Sequence, residues 1–199
     1  MKEISMDFFR DEVRNGFFIP TAVKQAWAAQ LQVLDVIDTI CRKHGITYFA
    51  DWGTILGTVR HGGYVPWDDD MDICMKREDY TRFKEAAKTE LPKDFRIHDY
   101  EHQEDHWLFL SRVANSVHIN FEPEHMKQFH NFPYIAGIDI FVLDYLYKDE
   151  QQEKQRCEEV KHIIAVADSI IAGEIAQPVK EANPVSYTHL RAPETTLHL

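Results

Sequence analysis

Pro66-Trp67-Asp68-Asp69-Asp70-Met71-Asp72-Ile73-Cys74-Met75 places four carboxylates within five residues and then passes into alternating apolar and polar positions. The alternation over Met71–Met75 predicts a strand, so the acids lie at a loop-to-strand junction. Side chains at i and i+2 of a strand point the same way, which lets Asp70 and Asp72 face one cation while Met71 and Ile73 enter the core. So many like charges held together push their pKa values up unless a cation neutralises them. Hard oxygen ligands suit Mg2+ or Mn2+ and not zinc or copper. The flanking Pro66, Trp67, Met71 and Ile73 make the run partly buried, and burying unpaired charge is costly, which favours a metal site over a solvated acidic loop.

Upstream, apolar residues recur at Val23, Trp27, Leu31, Leu34, Ile37 and Cys41, predicting an amphipathic helix from Val23 to His44 with Thr21 as N-cap and Gly45 as its stop. Ile46–Ala50 reads as a short strand running into the turn Asp51-Trp52-Gly53-Thr54, with a second helix beginning near Thr54. Gly53 and Thr54 offer a small residue and a hydroxyl where a helix start can hold a phosphate. Arg60 and His61 are candidates for positive charge beside that phosphate.

Downstream, the spacing predicts a helix over Arg77–Lys88, strands over Trp107–Val113 and Gly137–Leu143, and a helix from Glu150 to Ala176. Asp139, between Ile138 and Ile140, is an odd charge in an apolar strand and the chosen third carboxylate, ahead of Asp144. Arg112, beside the apolar run Trp107–Leu110 and three residues before Asn115, is a second candidate contact for nucleotide phosphate or base. Helices and strands mixed in this order predict an α/β (α+β) sheet protein.

The 199 residues carry a formal charge of -11, which argues against a nucleic-acid partner. Cys41, Cys74 and Cys157 show no disulfide or zinc spacing, and the acidic first residues and lack of a long apolar run predict neither a signal peptide nor a transmembrane segment. A reducing cytoplasm is the expected compartment. No serine-hydrolase elbow or P-loop occurs, and the histidines match no H-E-x-x-H pattern. Residues 184–199 have no sustained period and read as translated adapter sequence, leaving 1–22 as a lead-in and 23–183 as the expected domain.

The run from Tyr48-Phe49-Ala50-Asp51-Trp52-Gly53-Thr54 through Leu56-Gly57-Thr58-Val59-Arg60-His61-Gly62-Gly63 to Asp70-Met71-Asp72-Ile73 resembles the signature of the LicD family. The resemblance extends from about Val23 to Leu146. It implies a nucleotidyltransferase-like fold, a short mixed sheet flanked by helices, in which Gly53-Thr54, Asp70, Asp72 and Asp139 form the site. Members include bacterial phosphocholine transferases acting on cell-surface glycans such as lipopolysaccharide or teichoic acid, with fukutin-related ribitol-phosphate transferases as distant relatives.

The activity so implied is transfer of a phospho-alcohol from a CDP-activated donor, most simply CDP-choline, to a glycan hydroxyl, with Arg60 on the nucleotide side and Asp139 taking the proton. Trp52, Tyr64, Trp67 and Trp107 are the aromatics available to a choline cation. Nucleotidyl transfer from a nucleoside triphosphate on the same fold, and a noncatalytic glycan- or nucleotide-binding module, are the alternatives.

Overall fold

The computed structural model describes residues 4–99 and 110–171. They fall into two compact units, Met1–Leu143 and Asp144–Leu199. In the first, a single 3-10 turn (Met6–Phe9) leads to β1 (Glu12–Arg14), β2 (Phe17–Ile19), α1 (Thr21–His44), β3 (Phe49–Ala50), α2 (Trp52–His61) and β4 (Asp72–Lys76). α3 (Arg77–Glu90), β5 (Arg96–His98), β6 (Leu110–Ala114), α4 (Pro123–Gln128) and β7 (Gly137–Leu143) follow. In the second, α5 (Glu150–Ile171) begins with Glu150 and Glu153 in its first turn, where acids complement the helix dipole.

Five strands form one mixed sheet in the order β3-β4-β7-β6-β5. β4 and β7 run parallel, and the other neighbours are antiparallel. Alternation sorts the two faces. Ile73, Met75, Ile138, Ile140 and Val113 point into a core closed by Val33 and Ile37 of α1 and by Tyr80 and Phe83 of α3. Each such side chain contributes roughly 1.5–3 kcal/mol on burial. Asp72, Cys74, Asp139 and Phe141 are thereby directed to the opposite face.

α1 matches the predicted helix closely and stops at Gly45, whose φ of 59° is left-handed. Its start differs. Thr21 lies inside the helix after Pro20, and the cap comes from Asp11, whose Oδ1 accepts the Thr21 N–H at 2.6 Å and the Thr21 hydroxyl at 2.9 Å. The strand expected over Ile46–Ala50 is reduced to Phe49–Ala50, because the Ile46 amide donates to Cys41 O at 2.8 Å in the helix cap and its side chain enters the core. α2 starts two residues earlier than expected, since Asp51 caps it through the Trp52 N–H at 2.9 Å.

Residues assigned to a lead-in contain a hairpin. Asn15 and Gly16 both have positive φ, the turn that an Asn-Gly pair favours. Glu12 of β1 pairs at 2.6 Å with Lys24 of α1, a lysine only 2% exposed. β5 and α4 were not anticipated, β7 has its expected bounds, and β6 begins at Leu110. Trp107–Phe109, the end of the helix beyond Ile171 and the stretch 184–199 lie outside the described residues. Among the described residues no helix is long and apolar enough to cross a membrane.

Candidate active site

The parallel pairing of β4 with β7 puts Asp72 opposite Asp139 in register, so two carboxylates stand side by side on the face away from the core. The register is held at this point by the Asp139 N–H, which donates to Met71 O at 3.2 Å. Both residues are 8% exposed. One strand further on, Arg112 is the register partner of Asp139 and grips it with both prongs, Nε to Oδ1 at 2.5 Å and Nη2 to Oδ2 at 2.7 Å. Asp70 precedes β4 and is exposed, with Met71 between it and Asp72 turned into the core.

Burial, reinforced by the charges of Asp70 and Asp139, pushes the Asp72 carboxyl up to about 6. Asp70 is also raised, by burial first and then by the charge of Asp68 and a hydrogen bond with it. The Asp72 carboxylate accepts no hydrogen bond from any described residue. A buried acid that takes no hydrogen bond from the described residues, beside two further acids, offers hard oxygens whose chemistry suits Mg2+ or Mn2+. Arg112 occupies one lone pair on each Asp139 oxygen and leaves the others available. Among the described residues, the acids whose oxygens lie within 4.8 Å of one another are Asp68, Asp69 and Asp70; Asp70, Asp72 and Asp139 are not gathered that closely and are linked by the β4–β7 register and by their mutual charge.

The acidic loop is held by its backbone, which frees its side chains. Trp27 Nε1 of α1 donates to Asp68 O at 2.9 Å and Gln30 Nε2 to Asp69 O at 2.7 Å. Tyr64 stacks on Trp27 with centroids 4.6 Å apart, and its hydroxyl donates to Gln30 Oε1 at 3.0 Å. On the other side, the Asp72 N–H donates to Thr54 Oγ1 at 2.7 Å and the Asp51 N–H to Asp72 O at 3.0 Å, tying the start of α2 to the strand of acids. A Cβ on Gly53 would stand 2.2 Å from Asp68 Oδ2, so a side chain there would make the Asp68 carboxylate turn away. Between α1 and α2 lies a cavity of about 620 Å³ whose walls include Leu31, Leu34, Tyr48, Thr54, Asp68 and Asp70.

Gly53, Thr54, Asp70, Asp72, Asp139 and Arg112 are thus brought together. Arg60 and His61 are not among them. They occupy the last turn of α2, with Arg60 about 10 Å along the helix axis from Gly53. His61 Nδ1 is 3.1 Å from Asn15 Nδ2 of the hairpin turn. Trp67, expected to help bury the acidic run, is 62% exposed and packs edge-on against Phe17 and His61. The buried acids are instead Asp72 and Asp139, inside the sheet, while Asp69 and Asp70 in the loop before β4 are exposed.

The expected aromatics do not form one cage, since Tyr64 stacks on Trp27, Trp67 joins Phe17, Trp52 tilts onto Phe141 and Trp107 is outside the described residues. Sequence reasoning missed Asp51, Trp27 and Gln30. An Asp directly before a helix was a capping signal for the first. The other two read as ordinary helix positions, and only the fold shows that they meet the loop.

The Haemophilus influenzae lipopolysaccharide cholinephosphotransferase LicD is 43% identical to this chain over 53 residues, 27% of the chain and 20% of that protein. An uncharacterized protein of Rickettsia typhi is 39% identical over 54 residues, 27% of the chain and 18% of the relative. A Rickettsia prowazekii counterpart is 42% identical over 48 residues, 24% of the chain and 18% of the relative. The matched stretch therefore spans a fifth or less of these curated relatives. A family model described as LicD/FKTN/FKRP, nucleotidyltransferase domain, matches residues 45–164, more than half of the chain and every acid of the site. The chain belongs to the LicD/FKTN/FKRP nucleotidyltransferase-domain family.

Proposed function

We propose that this protein transfers a phospho-alcohol, most simply phosphocholine from CDP-choline, to a hydroxyl of a cell-surface glycan. The observation that carries this reading is the register of Asp72 against Asp139, with Asp70 two residues before Asp72 and no described residue donating to the Asp72 carboxylate. Family membership and the partial likeness to a lipopolysaccharide cholinephosphotransferase support it.

Asp70, Asp72 and Asp139 are the residues that would hold Mg2+ or Mn2+. A divalent ion there supplies neutralisation of phosphate charge and stabilisation of entering and leaving oxygens. Thr54 and Gly53 open the start of α2 to a phosphate, and Arg112 keeps Asp139 oriented. The acceptor hydroxyl attacks the phosphorus bearing the alcohol, the bond to the CMP oxygen breaks, and the hydroxyl proton passes to a carboxylate. Both Asp139 oxygens hold Arg112, so the exposed Asp70 is the freer carboxylate for that task.

The family model's own description keeps nucleotidyl transfer as the second reading. Product identity separates the two. The protein incubated with Mg2+, CDP-choline and a glycan acceptor should release CMP, and Asp70→Asn/Asp72→Asn should reduce the rate at least a hundredfold. Pyrophosphate formed from CTP, with no CMP from CDP-choline, establishes nucleotidyl transfer instead. Binding without turnover of either, unchanged in the double variant, leaves a binding module.

A further inference from the structure

Beside the row of charges on the sheet face away from the core runs a row of apolar side chains. Phe49 is the register partner of Cys74, and Cys74 of Phe141, so these residues share the face of Asp72 and Asp139, one alternation further along. Trp52 joins them from the start of α2, its indole 5.9 Å from the Phe141 ring. Its φ is +41°, a left-handed backbone that a bulky residue adopts only when its surroundings impose it. They do: Asp51 holds the Trp52 amide and Thr54 is pinned to Asp72. An indole so placed is nevertheless 64% exposed, and Phe49 is 49% exposed.

We infer that the exposed Trp52 indole, with the Phe141 ring tilted 53° against it, is the stacking surface for the nucleobase of the nucleotide whose phosphates the acid row receives. This rests on the phosphotransferase reading. Asp139 and Phe141 are two residues apart on one strand, about 6.7 Å, the width of one sugar ring between a phosphate and a base. A planar π-face is what an exposed indole recognises without hydrogen bonds. The rival occupants fit poorly. A second copy would bring another chain of charge -11 towards the same acids, and an anionic lipid surface would be repelled by Asp68–Asp72.

The test is titration of the full chain, in Mn2+, with CMP and separately with inorganic pyrophosphate. Trp52→Gly suits the left-handed backbone and removes only the ring, so its melting temperature should not fall. It should weaken CMP about tenfold, the loss expected of one base–aromatic stack, leave pyrophosphate affinity unchanged, and be rescued in Trp52→Phe. Phe141→Leu should weaken CMP severalfold and serves if Trp52→Gly does not fold.

CMP affinity unchanged in both variants, while Asp70→Asn/Asp72→Asn abolishes binding of both ligands, overturns the stacking surface and leaves the phosphate site standing. A wild type that binds neither ligand overturns both. Variants that alter only the sedimentation behaviour assign the face to self-association and overturn the stacking surface as well.

Discussion

Asp72 shows how one side chain can work against its own fold. Its carboxyl sits at about 6 in the folded chain against about 3.9 for an unstructured Asp, chiefly through burial. A folded pKa above the unfolded one favours folding only while the group is protonated. That contribution is complete below about pH 4 and is lost as the pH rises through 6. At neutral pH the charged carboxylate thus disfavours the folded state. Asp72→Asn should therefore raise the melting temperature in EDTA at pH 7 by several degrees and have little effect at pH 4. Acids held down by partners, such as Asp11 and Glu12, give the opposite trend in both proteins and cancel in the comparison. Mn2+ should stabilise the wild type at pH 7 and the variant far less. A lower melting temperature for Asp72→Asn at pH 7 without metal would show that the carboxylate is not under this load.

Among the elements, α1 does more than cover the core, since Trp27 and Gln30 hold the carbonyls of Asp68 and Asp69. Gln30→Ala leaves a carbonyl without its donor and should cost about 1–2 kcal/mol in stability. It should also weaken Mn2+ binding severalfold by loosening the loop, read by calorimetry. Unchanged Mn2+ affinity in a destabilised variant would mean that the loop keeps its shape without the helix. Elements with a long apolar period were legible in the sequence. α1 and α3 follow three-to-four spacing, β4 alternates, which marked Asp72, and β7 is an apolar run in which Asp139 stood out as an odd charge. The start of α1 was not legible, because Asp11 caps it from ten residues away. The Asn15-Gly16 signal was present, but strands of three residues are too short to announce themselves. Arg112 stood out as a basic residue near an apolar strand, yet its grip on Asp139 depends on the β6–β7 register, which only the assembled sheet determines.

At the level of the whole molecule, the sheet, its core and every acid of the candidate site lie within Met1–Leu143, one of the two compact units. α5 contributes local ion pairs of its own, Arg156 with Glu153 and Lys161 with Glu158, each three residues apart on the helix. A chain ending at Leu143 should therefore fold cooperatively and bind Mn2+ with an affinity within a few-fold of the full chain, measured by circular dichroism and calorimetry. An unfolded fragment would show that residues beyond Leu143 belong to the same folding unit. The pairing of β4 with β7 carries a last consequence. A slip of one residue would turn Asp139 inward among the aliphatic side chains and put Ile138 and Ile140 into water. The alternation that builds the core is the one that aligns the acids, so folding proofreads the site: a chain that has reached its stable state has also set Asp72 beside Asp139.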